Sequence, residues 1–176
     1  MKFNAIFLAL ASSALGAPRP QTFDVLSLRS GSPVLHYNSI SASKGILLLN
    51  LSKQDVKCSG AITRATFYLE GSQLFLYSDG GKPQQVYADR SAMGRGHIGY
   101  TRDGGGPPRN GELEGWSIDA TGNLLFDGKN LQACNYDIDG PWNIFVGGVE
   151  NVDKKTCVEF VSRTITNETP VSCIYS

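Results

Sequence analysis

The sequence predicts an all-β fold, built as a single compact barrel-like domain. Three observations carry this. Short runs rich in aromatic and β-branched residues recur along the chain, separated by clusters of Gly, Pro, Asn and Asp. No segment beyond the N-terminal leader places apolar residues at i, i+3, i+4 and i+7 over three turns, so no long amphipathic helix is expected. The chain of 176 residues holds four cysteines, Cys58, Cys134, Cys157 and Cys173, at wide spacings that suit two disulfides in a secreted domain.

The first element is a leader. Lys2 supplies a positive charge, an apolar run follows from Ala5 to Ala11, and small residues come next (Ser12, Ser13, Ala14, Gly16, Ala17). This is the layout of a secretory signal peptide, with cleavage expected after Gly16. Residues 1–16 are then removed, and 17–176 form one all-β domain with its core from about residue 22. Losing the leader leaves 15 basic against 16 acidic side chains. A near-neutral, mixed surface argues against nucleic acid as a partner. The C-terminus carries no hydrophobic tail, so no membrane anchor is expected.

Strands are expected near Phe23–Arg29, Pro33–Tyr37, Gly45–Leu51, Ala65–Glu70, Gln73–Tyr77, Gln84–Ala88 and His97–Thr101. Others follow near Gly115–Asp119, Asn123–Phe126, Gln132–Asn135, Trp142–Val146, Val158–Thr164 and Val171–Ile174. Glu70-Gly71-Ser72, Asp79–Pro83 and Ala120–Asn123 supply the turn residues between them. A short helical turn fits only Ser39–Lys44 or Ser52–Asp55. Arg102–Glu114, rich in Gly and Pro, is the longest loop. A faint internal repeat opens at Phe23, Phe67 and Trp116, 44 and 49 residues apart. Three such units suit a β-trefoil, with a two-sheet sandwich as the alternative.

Four cysteines allow three pairings. The preferred one is Cys134–Cys157 with Cys58–Cys173: the first closes a modest loop and the second ties the last strand to an early one. In the chain-entropy model these contribute roughly 3 and 5 kcal/mol. Asn50-Leu51-Ser52 and Asn167-Glu168-Thr169 are glycosylation sequons, so Asn50 and Asn167 are candidate glycan carriers.

The motifs that suggest chemistry fail on context. Gly94-x-Gly96-x-x-Gly99 matches the dinucleotide fingerprint, but no helix can open after it to hold a pyrophosphate. Asn135–Gly140 resembles the start of a calcium loop, yet its twelfth position is Val146 where a Glu is needed. His36 and His97 are the two histidines, and neither lies in a nucleophile motif. Glu112, Glu114, Asp119 and Asp127 could be drawn as carboxylate pairs for glycoside hydrolysis, with nothing to fix their separation. Trp116, Trp142, Tyr100 and Tyr136 could stack on sugars, although the two tryptophans read as core. No enzyme activity, metal or cofactor is expected.

The runs "ATFYLEGSQLFLY", "VYADRSAMGRGHIGYT", "GWSIDATGNLLFDGKNLQAC", "DGPWNIFV" and "PVSCIY" resemble the phialide cell-wall proteins of moulds, the phiA family, over nearly the whole mature chain. The most specific part is Ala88–Thr101, with Asp89, Arg90, Gly94, Gly96, Gly99 and Tyr100 as its signature loop. "GWSIDATGNL" is more faintly similar to the C-terminal domain of yeast wall proteins with internal repeats. The chain has Ala88, Ala92 and His97 where Val, Gly and Lys are common in the family. The resemblance implies a secreted, non-enzymatic wall protein of spore-bearing cells and conidia, with cell-wall polysaccharide or another wall component as partner. A lectin-like module and a trefoil protease inhibitor are the alternatives. Within the signature loop, Asp89 and Arg90 are expected to pair and pin the corner beside the long loop.

Overall fold

The computed structural model describes residues 20–102, 104–135, 140–149 and 156–176. The expected leader, the calcium-like residues 136–139 and Tyr136 lie outside these. Among the described residues the chain forms strands and no helix.

The main sheet returns on itself. Strand β1 (Thr22–Leu28) pairs with β6 (Thr66–Glu70) on one side and β14 (Cys157–Thr166) on the other. From β6 the ladder runs to β7 (Gln73–Leu76), β8 (Gln84–Asp89) and β9 (His97–Tyr100). From β14 it runs to β12 (Leu131–Cys134) and β13 (Trp142–Val146). The two ends meet where Phe145 of β13 faces His97 of β9, and Val146 N–H donates to the Gly96 carbonyl at 2.8 Å. The contact is brief because β4 (Ile46–Leu49) pairs with both strands beyond it: Ile46 faces Gly99, and Leu48 and Leu49 face Asn143 and Trp142. Strand β3 (Ser41–Ser43) adds to β4, and β2 (Asn38–Ser39) to β1.

Strand periodicity sorts the side chains. Phe23, Phe67, Leu76, Val86, Ile98, Val146, Leu131 and Phe160 face inward and are all but fully buried. The hairpin of β10 (Trp116–Ile118) and β11 (Leu124–Phe126) inserts Trp116 and Phe126 into the same core, edge to face at 5.0 Å between ring centroids. The three repeat openers therefore occupy different places. Phe23 and Phe67 face each other across β1 and β6, while Trp116 lies in a separate hairpin.

The last strand, β15 (Cys173–Tyr175), pairs with β5 (Val56–Cys58). It is fastened by an amide. Gln84, buried on β8, donates from Nε2 to the Tyr175 carbonyl at 2.6 Å and accepts the Tyr175 N–H at 2.7 Å, as a neighbouring strand would. Each disulfide joins directly opposed residues of an antiparallel pair: Cys58–Cys173 across β5 and β15, and Cys134–Cys157 across β12 and β14.

Two local expectations are corrected and one strand is added. Pro33–Tyr37 is a turn: Leu35 and His36 both donate their N–H to Ser32, and Tyr37 has φ +62°. Ser39–Lys44 holds β3 and Ser52–Asp55 is irregular, so neither is helical. Strand β5 has no clear apolar signature of its own and exists through its pairing with β15.

Replacing Gln84 by Ala strands a buried N–H and a buried carbonyl of Tyr175. The expected loss is about 2–3 kcal/mol in urea unfolding, with the disulfides intact.

Candidate functional site

The signature loop links β8 to β9 as a self-bonded turn. The Asp89 carboxylate accepts the Ser91 N–H at 2.9 Å, and the Ser91 hydroxyl accepts the Gly94 N–H at 3.2 Å. Arg95 N–H returns to the Ser91 carbonyl at 2.8 Å and Gly96 N–H to the Asp89 carbonyl at 2.7 Å. Each glycine answers a steric demand. A Cβ at Gly94 would collide with the Asp89 side chain and carbonyl. Gly96 has φ +86° and faces Val146 and Val149 across the seam. At Gly99 a Cβ would run into the Tyr87 ring, at 2.6 Å from its Cζ. Tyr100 points into the core and donates its hydroxyl to the Ser176 carbonyl at 2.7 Å.

Arg90 does not pair with Asp89. β8 ends at Asp89, whose carboxylate turns back to accept the Ser91 N–H. Instead Arg90 Nε donates to both Glu112 carboxylate oxygens, at 2.9 and 3.1 Å, and Nη1 reaches Asp127 Oδ2 at 2.8 Å. Its guanidinium lies 5.1 Å from the Phe126 ring centroid. The hydrogen bonds with Glu112 raise the Arg90 pKa and hold the Glu112 carboxyl below its usual range. One side chain thus joins the end of β8, the return of the long loop and the β10–β11 hairpin. Glu112 also exchanges both backbone hydrogen bonds with Ala88, at 2.8 and 2.9 Å.

The other polar candidates are similarly engaged. Asp119 accepts from the N–H groups of Thr121 and Asn123 and from both their side chains, which closes the β10–β11 turn and brings its pKa down to about 2. Glu114 accepts from Gln73. His36 accepts the Arg29 N–H through Nδ1 at 3.1 Å. Asn167 donates to Asp24 at 3.1 Å, within a cluster that also holds Thr66 and Arg64 on that buried carboxylate. Asn50 is exposed at φ +57° just past β4. Trp116 is core and Trp142 half-buried.

The outer face beside the loop holds a cleft lined by Tyr87, Asp89, Met93, Arg95, His97 and Phe145. A second cleft, lined by Lys44, Thr101 and Arg102 among others, shares Tyr87 and Pro108 with it. His97 packs edge-on against Phe145, with ring centroids 5.5 Å apart, and faces Asp89 in the ladder. Burial pushes the His97 pKa below 6.5, outweighing the pull of Asp89. Tyr87, Phe145 and Met93 lie within the family-like runs but are not among the candidate site residues named from the sequence. Their proximity depends on strand register, which no local pattern encodes.

Fold and site together define a disulfide-braced all-β domain whose most elaborate feature is a glycine loop that closes its sheet. Among the described residues no three His, Cys, Asp or Glu side chains gather as metal ligands. The chain belongs to the family of PhiA-like secreted proteins, whose model matches residues 23–176. It is 41% identical to the cell wall protein phiA of Emericella nidulans over 178 residues, covering 98% of this chain and 97% of that one. It is 38% identical to that of Aspergillus fumigatus over 169 residues, covering 94% and 91%. For Arthroderma benhamiae the identity is 35% over 191 residues, covering both chains fully. No solved structure gives a significant match. The family assignment makes this a secreted protein of the fungal cell wall.

Two predictions follow from this geometry. Arg90→Ala should cost about 1 kcal/mol and lower Tm by a few degrees, since exposed ion pairs return little and the ring contact adds to them. Arg90→Lys should recover only part of this in a thermal melt, because an ammonium cannot span both carboxylates. For His97, the folded value lies below the unfolded one, so the unfolded chain takes up the proton first as pH falls. Its contribution is complete above about pH 6.5 and is lost as pH falls from there toward the folded value. His97→Gln should remove that part of the decline in denaturant titrations across this range.

Proposed function

We propose that the protein is a non-enzymatic structural component of the wall of spore-bearing cells and conidia, retained there without a covalent bond to glucan. The wall setting is supported by the relatives named cell wall protein phiA, and the non-enzymatic part by the use of its polar groups. Glu112 and Asp127 are bound to Arg90, Asp119 to its own turn and Glu114 to Gln73, so each carboxylate considered for hydrolysis has a structural partner. The signature loop supports the same reading, because its glycines meet packing demands at the sheet seam. On architecture, we read the closed circuit β1-β6-β7-β8-β9-β13-β12-β14 as a barrel-like frame. Of the two sequons, the exposed Asn50 is the readier glycan carrier; Asn167 serves the Asp24 cluster.

Fractionating sporulating mycelium tests this reading. The protein should leave the wall in hot detergent under reducing conditions, without glucanase. Release by glucanase alone would show a covalent link, and turnover of a wall polymer by the purified protein would make it an enzyme.

A further inference from the structure

Among the described residues, Tyr87 is the one aromatic ring that walls both clefts of the outer face. It lies down because Gly99, opposite it on β9, has no side chain: the ring end occupies the space where a Cβ would stand. A ring backed by main chain in this way is a rigid, preorganised surface, and it remains partly exposed. A tyrosine hydroxyl is protonated near neutral pH, and burial only raises the Tyr87 pKa further, so it offers both a donor and an acceptor. Around it the clefts present charged hydrogen-bonding groups: Asp89 and Arg95 on one side, Lys44 and Arg102 on the other. Their volumes are about 700 and 460 Å³, within the size range of small-ligand sites.

We propose that these joined clefts bind a neutral, β-linked hexopyranose chain, with one sugar stacked on Tyr87 and its neighbours on either side. The ligand class follows from the lining. An aromatic platform suits the flat C–H face of a pyranose with equatorial substituents. Carboxylate, guanidinium, ammonium and hydroxyl groups together satisfy a ligand that both donates and accepts at many hydroxyls. A purely apolar ligand would leave these groups unpaired. The inference deepens the wall-protein reading and rests on it, since it names what the protein would hold there.

The test is calorimetric titration of the mature protein with β-1,3-linked gluco-hexaose, β-1,4-linked chito-hexaose and α-linked malto-hexaose. Saturable binding to one β-linked series, and not to the α-linked one, is expected. Tyr87→Ala should weaken it about tenfold or more, whereas Tyr87→Phe should stay within about threefold, since it keeps the ring and loses one hydrogen bond. Should Tyr87→Ala unfold, the His97 ring resonances of the unaltered protein report on the same cleft. No binding of either β-linked oligomer overturns the proposal. So does equal affinity in a folded Tyr87→Ala variant, or an unshifted His97 signal at saturation. If the wall fraction still yields the protein by detergent while no oligomer binds, the glycan site fails and the structural reading stands.

Discussion

The circuit of strands depends on one narrow seam. β9 and β13 face each other through a single residue pair, His97 and Phe145, helped by the Val146–Gly96 hydrogen bond. Beyond that point they part and β4 fills the gap. A side chain at position 96 would sit 2.8 Å from Val149 and require a disfavoured backbone conformation as well. The loop between β8 and β9 is therefore where the sheet completes itself, and Gly96 is a condition of that closure.

Much of the rest follows from keeping the seam in place. The turn fixes the end of β8, and Arg90 then reaches away from Asp89 to gather the long loop and the Trp116 hairpin. That hairpin brings the largest fully buried side chain to the core. From the inward side, Gln84 of the same β8 holds the last strand. One strand thus organises loop, hairpin and C-terminus, with inward and outward residues taking separate tasks.

The hairpins at Phe67–Leu76 and Trp116–Phe126 were legible in the sequence, because each carries alternation and a turn that tolerates positive φ. All-β character was legible for the same reason. The Pro33–Tyr37 turn was not, since its apolar residues mimic a strand and only the bonds to Ser32 reveal the turn. β5 was invisible because its partner lies more than a hundred residues away. The partners of Arg90 were not legible either, as they arrive from a loop and a hairpin. Tyr87 was passed over because its setting comes from Gly99 on the next strand.

The bond between Cys58 and Cys173 also has a mechanical meaning. A wall protein is exposed to stretching as the cell swells and grows. Tension drawn between the two chain ends would cross directly from one cysteine to the other. The strands between them, β6 to β14, would carry none of that load. Only the segments ahead of Cys58 and after Cys173 could lengthen before a covalent bond had to break. The His97–Phe145 pair, the cleft beside the loop and the Arg90 junction lie inside the bypassed span, whereas Lys44 of the second cleft and β4 lie ahead of it.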